Sequence, residues 1–493
     1  MMKRRVVYAL AFLLLAITAY AQRPSVTWRN FNLHPLPLTQ LGWVATQPSS
    51  PQETWRWSVG CETLDRDFAN FQNYKTYFHE RGIGFARIQS GWARTEKQKG
   101  VYDFAWLDSI VDGLIEQGVR PWMCLCYGNP IYGSEIDLGA KMISGKEAMK
   151  AWEDYVYATV KHYGDKVALW EVWNEPDLVK HANAASMYGN MLSTAMKGIK
   201  RADKKARIAA FGLAHAWNTA FVTTALDVVK KDGRINDLDM VTYHAYYPNP
   251  DDAAPHMALL DKTVKAYNPG IRLMMGESGC PSILEWGHAM NGVEWDEYAQ
   301  AKWDLRRMCV DFKADIPTSV FTMVDLQYQS MLQSFGLVRM NLLKEPVYKR
   351  PAFYAVQHLA NIITPDIMPD TTLKASSSSA RYINHVGLSR RGKTIGAVVW
   401  FCDRRPGNSL QTEPVTLQLK GIDIKTPVLV EPITGKVYEL KHNIYRGANY
   451  DGTLKIADLP MWDSPMIIIE KKELKMRSTP IMEAAGVPMN WRK

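Results

Sequence analysis

Leu169-Trp170-Glu171-Val172-Trp173-Asn174-Glu175-Pro176 is the stretch whose reading decides the fold. A short apolar run ends in an amide, a carboxylate and a proline. Proline cannot donate to a sheet ladder, so the pattern predicts a strand that stops at Glu175. Asn174 and Glu175 then stand at a strand tip, where a parallel barrel carries its chemistry. Further along, Ile271-Arg272-Leu273-Met274-Met275-Gly276-Glu277-Ser278-Gly279 repeats the theme: an apolar strand, a lone carboxylate, small residues.

Around these two stretches, from Trp55 onward, short apolar runs alternate with segments of helical periodicity. Strands are expected at 57–61, 84–89, 119–127, 167–173, 207–212, 238–243, 271–275 and 318–324. Helices are expected at 68–81, 104–117, 146–163, 184–202, 219–231, 252–267, 294–312 and 350–363, with Gly82 and Gly118 as stops. Eight strands alternating with helices predict an α/β chain whose residues 55–365 form a (β/α)₈ TIM barrel. A doubly wound open sheet would give no reason for carboxylates on both the fourth and the seventh strand tips.

After Thr364-Pro365-Asp366 the period changes to two. Strands are expected at 394–401, 415–419, 427–431, 436–440, 452–456 and 466–470, with turns at Pro432-Ile433-Thr434-Gly435 and Asn449-Tyr450-Asp451-Gly452. Residues 366–475 therefore read as an all-β, sandwich-like domain that buries part of the barrel's outer surface. Trp400 or Trp462 could alternatively serve it as a glycan platform. Residues 22–54, with Trp28, Phe31 and Trp43, read as a lead packed on the outside of a domain. The tail 476–493 shows no pattern.

The 493 residues include a leader at 1–21. Lys3, Arg4 and Arg5 precede an apolar run, and Ala19-Tyr20-Ala21 is a small-x-small cleavage site, so a secreted or periplasmic protein is expected. The formal charge of +9 is scattered, which argues against a nucleic-acid track. Six cysteines are too sparse for a disulfide framework and read as buried thiols. No phosphate-binding glycine loop or His-rich metal signature appears, so neither a metal nor an organic cofactor is expected, and no membrane or nucleic-acid partner.

Two Glu on two strand tips of one barrel can flank a glycosidic bond. One protonates the leaving oxygen, and the other attacks the sugar carbon or activates water. Trp173-Asn174-Glu175-Pro176 paired with Gly276-Glu277-Ser278-Gly279 resembles the clan A glycoside hydrolases. Trp92-Ala93-Arg94-Thr95-Glu96-Lys97-Gln98-Lys99-Gly100-Val101-Tyr102-Asp103-Phe104 is similar to the clan's segment after strand two, and Tyr243-His244-Ala245-Tyr246 to its His-x-Tyr after strand six. The order of features most resembles glycoside hydrolase family 39, with its β-xylosidases and α-L-iduronidases. Phe335-Gly336-Leu337 and Pro351-Ala352-Phe353-Tyr354-Ala355 look like that family's closing segment.

The resemblance implies a retaining enzyme with Glu175 as acid/base and Glu277 as nucleophile, their oxygens about 5 Å apart. It puts Arg87, on strand two, in the active site. Arg87 and the Tyr246 hydroxyl are candidate donors to Glu277, with a structural partner for Arg87 as the bland alternative. Asn174 suits the sugar 2-hydroxyl, His244 faces the same way as Tyr246, and Tyr243 faces the core. Trp92, Asn129 and Trp286, along with Tyr127, Trp217 and Trp295, lie in loops after strands and could wall subsites. Asp325 could bind a hydroxyl or cap a helix. Glu171 and Asp177 are expected to point elsewhere. Many clan members carry a Trp at the end of strand eight; here Tyr328 or Trp286 would have to replace it. The expected activity is exo-acting (β-xylosidase-, β-galactosidase- or β-glucosidase-like) on an oligosaccharide or polysaccharide. An endo-acting glycanase and a non-catalytic glycan-binding barrel are the competing readings.

Overall fold

The computed structural model describes residues 36–50, 56–139, 141–440, 443–445 and 452–479. The leader at 1–21, Trp28 and Phe31 of the lead, the turn residues Asn449 to Asp451 and the tail beyond 479 lie outside them.

Eight parallel strands close into a barrel. They are β1 (Trp57–Gly60), β2 (Phe85–Gln89), β3 (Arg120–Leu125), β4 (Trp170–Val172), β5 (Ile208–Leu213), β6 (Met240–His244), β7 (Arg272–Ser278) and β8 (Thr318–Val320), and Trp57 pairs with Thr318 to complete the ring. The principal helices around it are α1 (Ala105–Glu116), α2 (Lys146–Tyr163), α3 (Ala184–Ala202), α4 (Thr219–Lys231), α5 (Ala254–Lys265), α6 (Glu297–Lys313) and α7 (Pro351–Ile362).

Period two along the strands sorts the interior into layers. Phe85, Trp122, Leu169, Ala209, Met240 and Met274 pack as one apolar cluster drawn from neighbouring strands. Two residues further along the same strands come Arg87, Glu171 and Thr242, all buried. The Arg87 guanidinium lies 5.4 Å over the Trp122 ring, so the polar layer rests directly on the apolar one.

Three elements differ from expectation. Residues 68–81 form two 3₁₀ segments, Phe71–Asn73 and Lys75–Arg81, rather than an α-helix. The Asn70 side chain takes the Gln72 amide and Asn73 donates to the Lys344 carbonyl, so local polar groups interrupt the α ladder. Phe71, Tyr74 and Tyr77, all buried, line up at the 3₁₀ spacing of three. β4 stops at Val172, before the motif it was expected to carry to Glu175. β7 runs on to Ser278 and so includes Glu277.

The C-terminal region forms an eight-stranded and a four-stranded antiparallel sheet. The lead does not merely pack on the outside: its strand Gln40–Val44 is inserted between Lys436–Glu439 and Met476–Arg477 of the larger sheet. Trp400 and Trp462 are both buried, so neither offers a glycan platform. The Trp400 indole instead donates to Asp251, on the loop after β6, at 3.0 Å. Arg306 of α6 also binds Asp251 and donates to the Arg404 carbonyl, while buried Lys302 pairs with Asp463 at 2.7 Å. The six cysteines are free thiols, five of them buried.

Asp251 thus neutralises Arg306 at the seam between barrel and sheets. Asp251→Ala should cost about 3–5 kcal/mol, the usual size for stripping one partner from a buried ion pair. Asp251→Asn, which keeps the hydrogen bonds to Trp400 and Asn384 within reach, should lose less. Urea unfolding midpoints read both.

Candidate active site

The tip of β4 is built by backbone kinks. Trp173 (φ 70°) and Glu175 (φ 49°) are both left-handed, a conformation that costs a non-glycine residue about 1–3 kcal/mol. Neighbouring ladders hold them there. The Trp173 amide donates to the Leu125 carbonyl of β3 and the Glu175 amide to the Gly212 carbonyl of β5. The two kinks bring Asn174 and Glu175 into the same pocket, where a flat strand would have set them on opposite faces.

Arg87 organises what they meet. Its Nη1 donates to Glu277 Oε2 at 2.8 Å, its Nη2 to Asn174 Oδ1 at 2.8 Å, and its Nε and Nη2 to Glu171 Oε2 at 2.9 and 2.6 Å. Glu171 therefore points into the barrel, against expectation. Its period-two relation to Glu175 carried that signal. Thr242 donates to its other oxygen while accepting from the Gly212 amide. The room for it comes from glycines: a Cβ on Gly212 or Gly276 would come within 3.3 and 3.4 Å of Glu171 Oε1. Arg87 thus has both a structural acid and an active-site acid as partners.

The two candidate catalytic acids are differently held. Glu277 Oε1 accepts from the Tyr246 hydroxyl at 2.7 Å. Burial pushes Glu277 up, but the charges of His244 and Arg87 and the bonds from Tyr246 and Arg87 outweigh it, leaving its pKa below the ordinary value. Glu175 Oε1 meets His244 Nδ1 at 2.6 Å. Here burial wins over the His244 bond and charge, and with Glu277 beside it Glu175 is raised. His244 is itself held above its usual range, burial being outweighed by the two carboxylates. Glu175, His244 and Glu277 each offer a donor atom within 4.8 Å of the others. That places one oxygen of each carboxylate close to the separation of a retaining pair and well short of the 6.5–9.5 Å of an inverting one. A divalent cation could span such a triad by distance, but these donor atoms are engaged with one another and with Tyr246 and Arg87.

A third carboxylate was not anticipated. Glu62, just past the tip of β1, lies 3.5 Å from Arg87 Nη1 and accepts from Thr322. Burial pushes it up to about 8, with Arg87 opposing and Glu277 adding to the rise. Only its position beside a strand tip could have marked it. Arg66 was also missed: its guanidinium lies between the rings of Phe68 and Tyr127 and donates to Gln89 at 2.8 Å.

The remaining expected residues divide. Asn174 is fixed by Arg87 and donates to the Tyr127 hydroxyl at 2.8 Å, which leaves its second amide proton for a ligand. Trp92 is buried, stacks on Tyr132 and Tyr155 and donates to Glu96, so it does not wall a subsite. Asn129 is buried as the cap of a 3₁₀ turn, with its amide on the Glu96 carbonyl. Asp325 is spent on a bidentate pair with Arg350, at 2.6 and 2.9 Å, and on the Gly336 amide. All three are scaffold. Tyr243 bonds Asp311 in the core, as expected. Trp286 is 80% exposed on the loop after β7. Tyr328 packs at a tilt against Phe68 and His288, and its hydroxyl, raised first by burial, also feels Glu277 and Glu175.

Residues 46–271 match the model of glycosyl hydrolases family 39. This stretch is a little under half of the chain. A curated relative, the beta-xylosidase of Geobacillus stearothermophilus, is 27% identical over 176 residues, covering 32% of this chain and 33% of its own length. The matches span between 23% and 40% of the length of the curated relatives. A family 39 glycoside hydrolase from the gut symbiont Bacteroides cellulosilyticus WH2 has a similar structure, with a TM-score of 0.60 at 16% identity over 84% of this chain and 81% of that one. A monomeric beta-xylosidase from Caulobacter crescentus CB15 gives 0.55 at 17%, over 86% and 97%. At such identities the structural likeness bears on the fold alone.

Two outcomes follow from the buried charges. Glu171→Ala should destabilise the protein by about 3–5 kcal/mol, because Arg87 keeps its charge and loses the carboxylate oxygen that takes two of its N–H groups; denaturant unfolding measures it. Glu62 keeps its proton in the folded state up to about pH 8, while the unfolded carboxyl loses it near 4.5. Between those values the folded state binds the extra proton, so wild-type stability should fall as pH rises. Glu62→Gln should flatten that slope, and unfolding free energies measured from pH 5 to 8 check it.

Proposed function

On the match of residues 46–271 to the glycosyl hydrolases family 39 model, we propose that the protein hydrolyses a glycosidic bond by double displacement with retention of configuration. The observation that carries this is the pair Glu175 and Glu277, at the tips of β4 and β7, with oxygens within 4.8 Å and with pKa values pushed in opposite directions. Two carboxylates set apart in this way are how one pocket supplies an acid and a nucleophile at the same pH.

Glu277, ionised and oriented by Arg87 and Tyr246, attacks the anomeric carbon. Glu175 delivers its proton to the departing oxygen, and the sugar is left as an ester on Glu277. That ester carries no charge, so the repulsion that helps to raise Glu175 disappears and Glu175 can take a proton from water. Water attacks the anomeric carbon, the ester bond breaks and Glu277 is regenerated. The free amide proton of Asn174 reaches the 2-hydroxyl, a contact that strengthens as the ring flattens. His244 touches Glu175 and so positions the acid rather than binding sugar. The reaction calls on no metal or organic cofactor.

The finer reading is exo action on a terminal β-linked sugar. Xylose is the first candidate, because two of the named relatives are beta-xylosidases; galactose and glucose are the competitors. The leader at 1–21 supports export to the periplasm or beyond, where glycans are met.

A panel of aryl β-glycosides differing only in the sugar tests the activity and its specificity, and NMR of the first-formed anomer tests retention. Glu277→Gln should remove nearly all turnover. Glu175→Ala should depress substrates with poor leaving groups far more than activated ones, since the latter need little protonation; a flat response would unseat Glu175 as the acid. The pH profile of kcat/KM should be bell-shaped, falling on the acid side as Glu277 gains a proton and on the alkaline side as Glu175 loses one.

A further inference from the structure

An aromatic cluster on the loops after β5 and β6 and the first turn of α5 plays no part in the two-carboxylate chemistry. Trp217 is 49% exposed, and with Trp286 it is one of only two exposed tryptophans among the described residues. Its ring lies 4.6 Å from that of His215, 5.7 Å from His256 and 6.0 Å from Tyr247, and Tyr247 stacks on His256 at 5.6 Å. Scattered surface aromatics need no explanation. Four rings gathered at the catalytic end of a barrel, one of them left half in water, do.

The cluster is tied to the acid. Asp177 follows Glu175 by two residues, and its buried carboxylate takes the amides of Ala214 and His215, at 2.9 and 3.1 Å, and pairs with His215 Nδ1 at 3.1 Å. The Glu175 amide is itself bonded to Gly212 in the strand that leads into this loop. On its other flank, Tyr247 follows Tyr246, which holds Glu277, and the loop beyond it is pinned through Asp251 to Trp400. The platform is therefore tied by hydrogen bonds to the segment that carries Glu175 and continuous with the one that carries Tyr246.

We propose that Trp217, backed by His215, Tyr247 and His256, is the stacking floor for the sugar on the leaving-group side of the scissile bond. The C–H face of a pyranose presents apolar surface that an indole covers without demanding one particular hydroxyl pattern, whereas the glycone in the pocket meets the free amide proton of Asn174. The protein would thereby prefer di- and oligosaccharides over glycosides with small aglycones. The inference rests on the glycosidase reading above.

The test compares a disaccharide with the glycosyl fluoride of the same sugar, xylobiose and xylosyl fluoride if the panel selects xylose. Fluoride is a one-atom leaving group and does not reach Trp217. Trp217→Ala should lower the ratio of kcat/KM for disaccharide over fluoride about tenfold, the scale of one aromatic stacking contact. The loss should sit mainly in KM, and Trp217→Tyr should restore most of the ratio. An unchanged ratio, or a Tyr variant no better than Ala, overturns the platform while the fluoride's turnover keeps the glycosidase reading alive. A wild-type protein that cleaves neither substrate overturns both.

Discussion

The guanidinium of Arg87 is the point on which the upper barrel depends. It is a full charge inside the barrel, sealed from water, and three strands supply the groups that make this tolerable: Glu62 beyond β1, Glu171 in β4 with Asn174 at the same tip, and Glu277 in β7. Burying such a charge is costly unless its donors are matched. Once they are matched, the same bonds set the position of Glu277, the proposed nucleophile. Stability and chemistry therefore draw on one hydrogen-bond network, with Glu171 sustaining the charge and Glu277 using it.

Much of this was legible in the amino-acid order, because barrel strands and their helices advertise themselves by period. The spans of α2, α3 and α4 match their periodic segments residue for residue. The two motif carboxylates declared themselves through proline, glycine and small residues beside them. Legibility failed where side chains compete with backbone or where the backbone leaves its regular path. The asparagines at 70 and 73 turned an amphipathic segment into 3₁₀ turns. Left-handed residues at 173 and 175 ended β4 early, so motif spacing could place Asn174 and Glu175 at a tip without saying how both reach one pocket. Glu171 was a different failure: its parity with Glu175 pointed inward, and the motif drew attention away from it. Trp92, Asn129 and Asp325 illustrate the converse. Aromatic or polar residues in loops after strands have the right address for binding, but their burial and their partners can be decided only by packing.

The C-terminal sheets have a part beyond covering barrel surface. Asp251 ties the loop after β6 to Trp400, and Lys302 and Arg306 fix α6 against the same region. The β6 loop carries Tyr246 and Tyr247, so a contact far from the reacting bond helps to set the geometry around it. Precise sites need this kind of backing, since a displacement of about 1 Å at a catalytic group is expensive.

The strand Gln40–Val44 lies between two partners that come from the far end of the polypeptide. During synthesis it emerges from the ribosome ahead of the entire barrel, yet its neighbours at 436–439 and 476–477 are made only after the barrel is complete. Until they arrive, its edges stay unsatisfied and open to wrong pairing. The topology therefore favours closure of the sheet after the barrel has been made, and it makes a holding chaperone more useful to this chain than rapid vectorial folding would be.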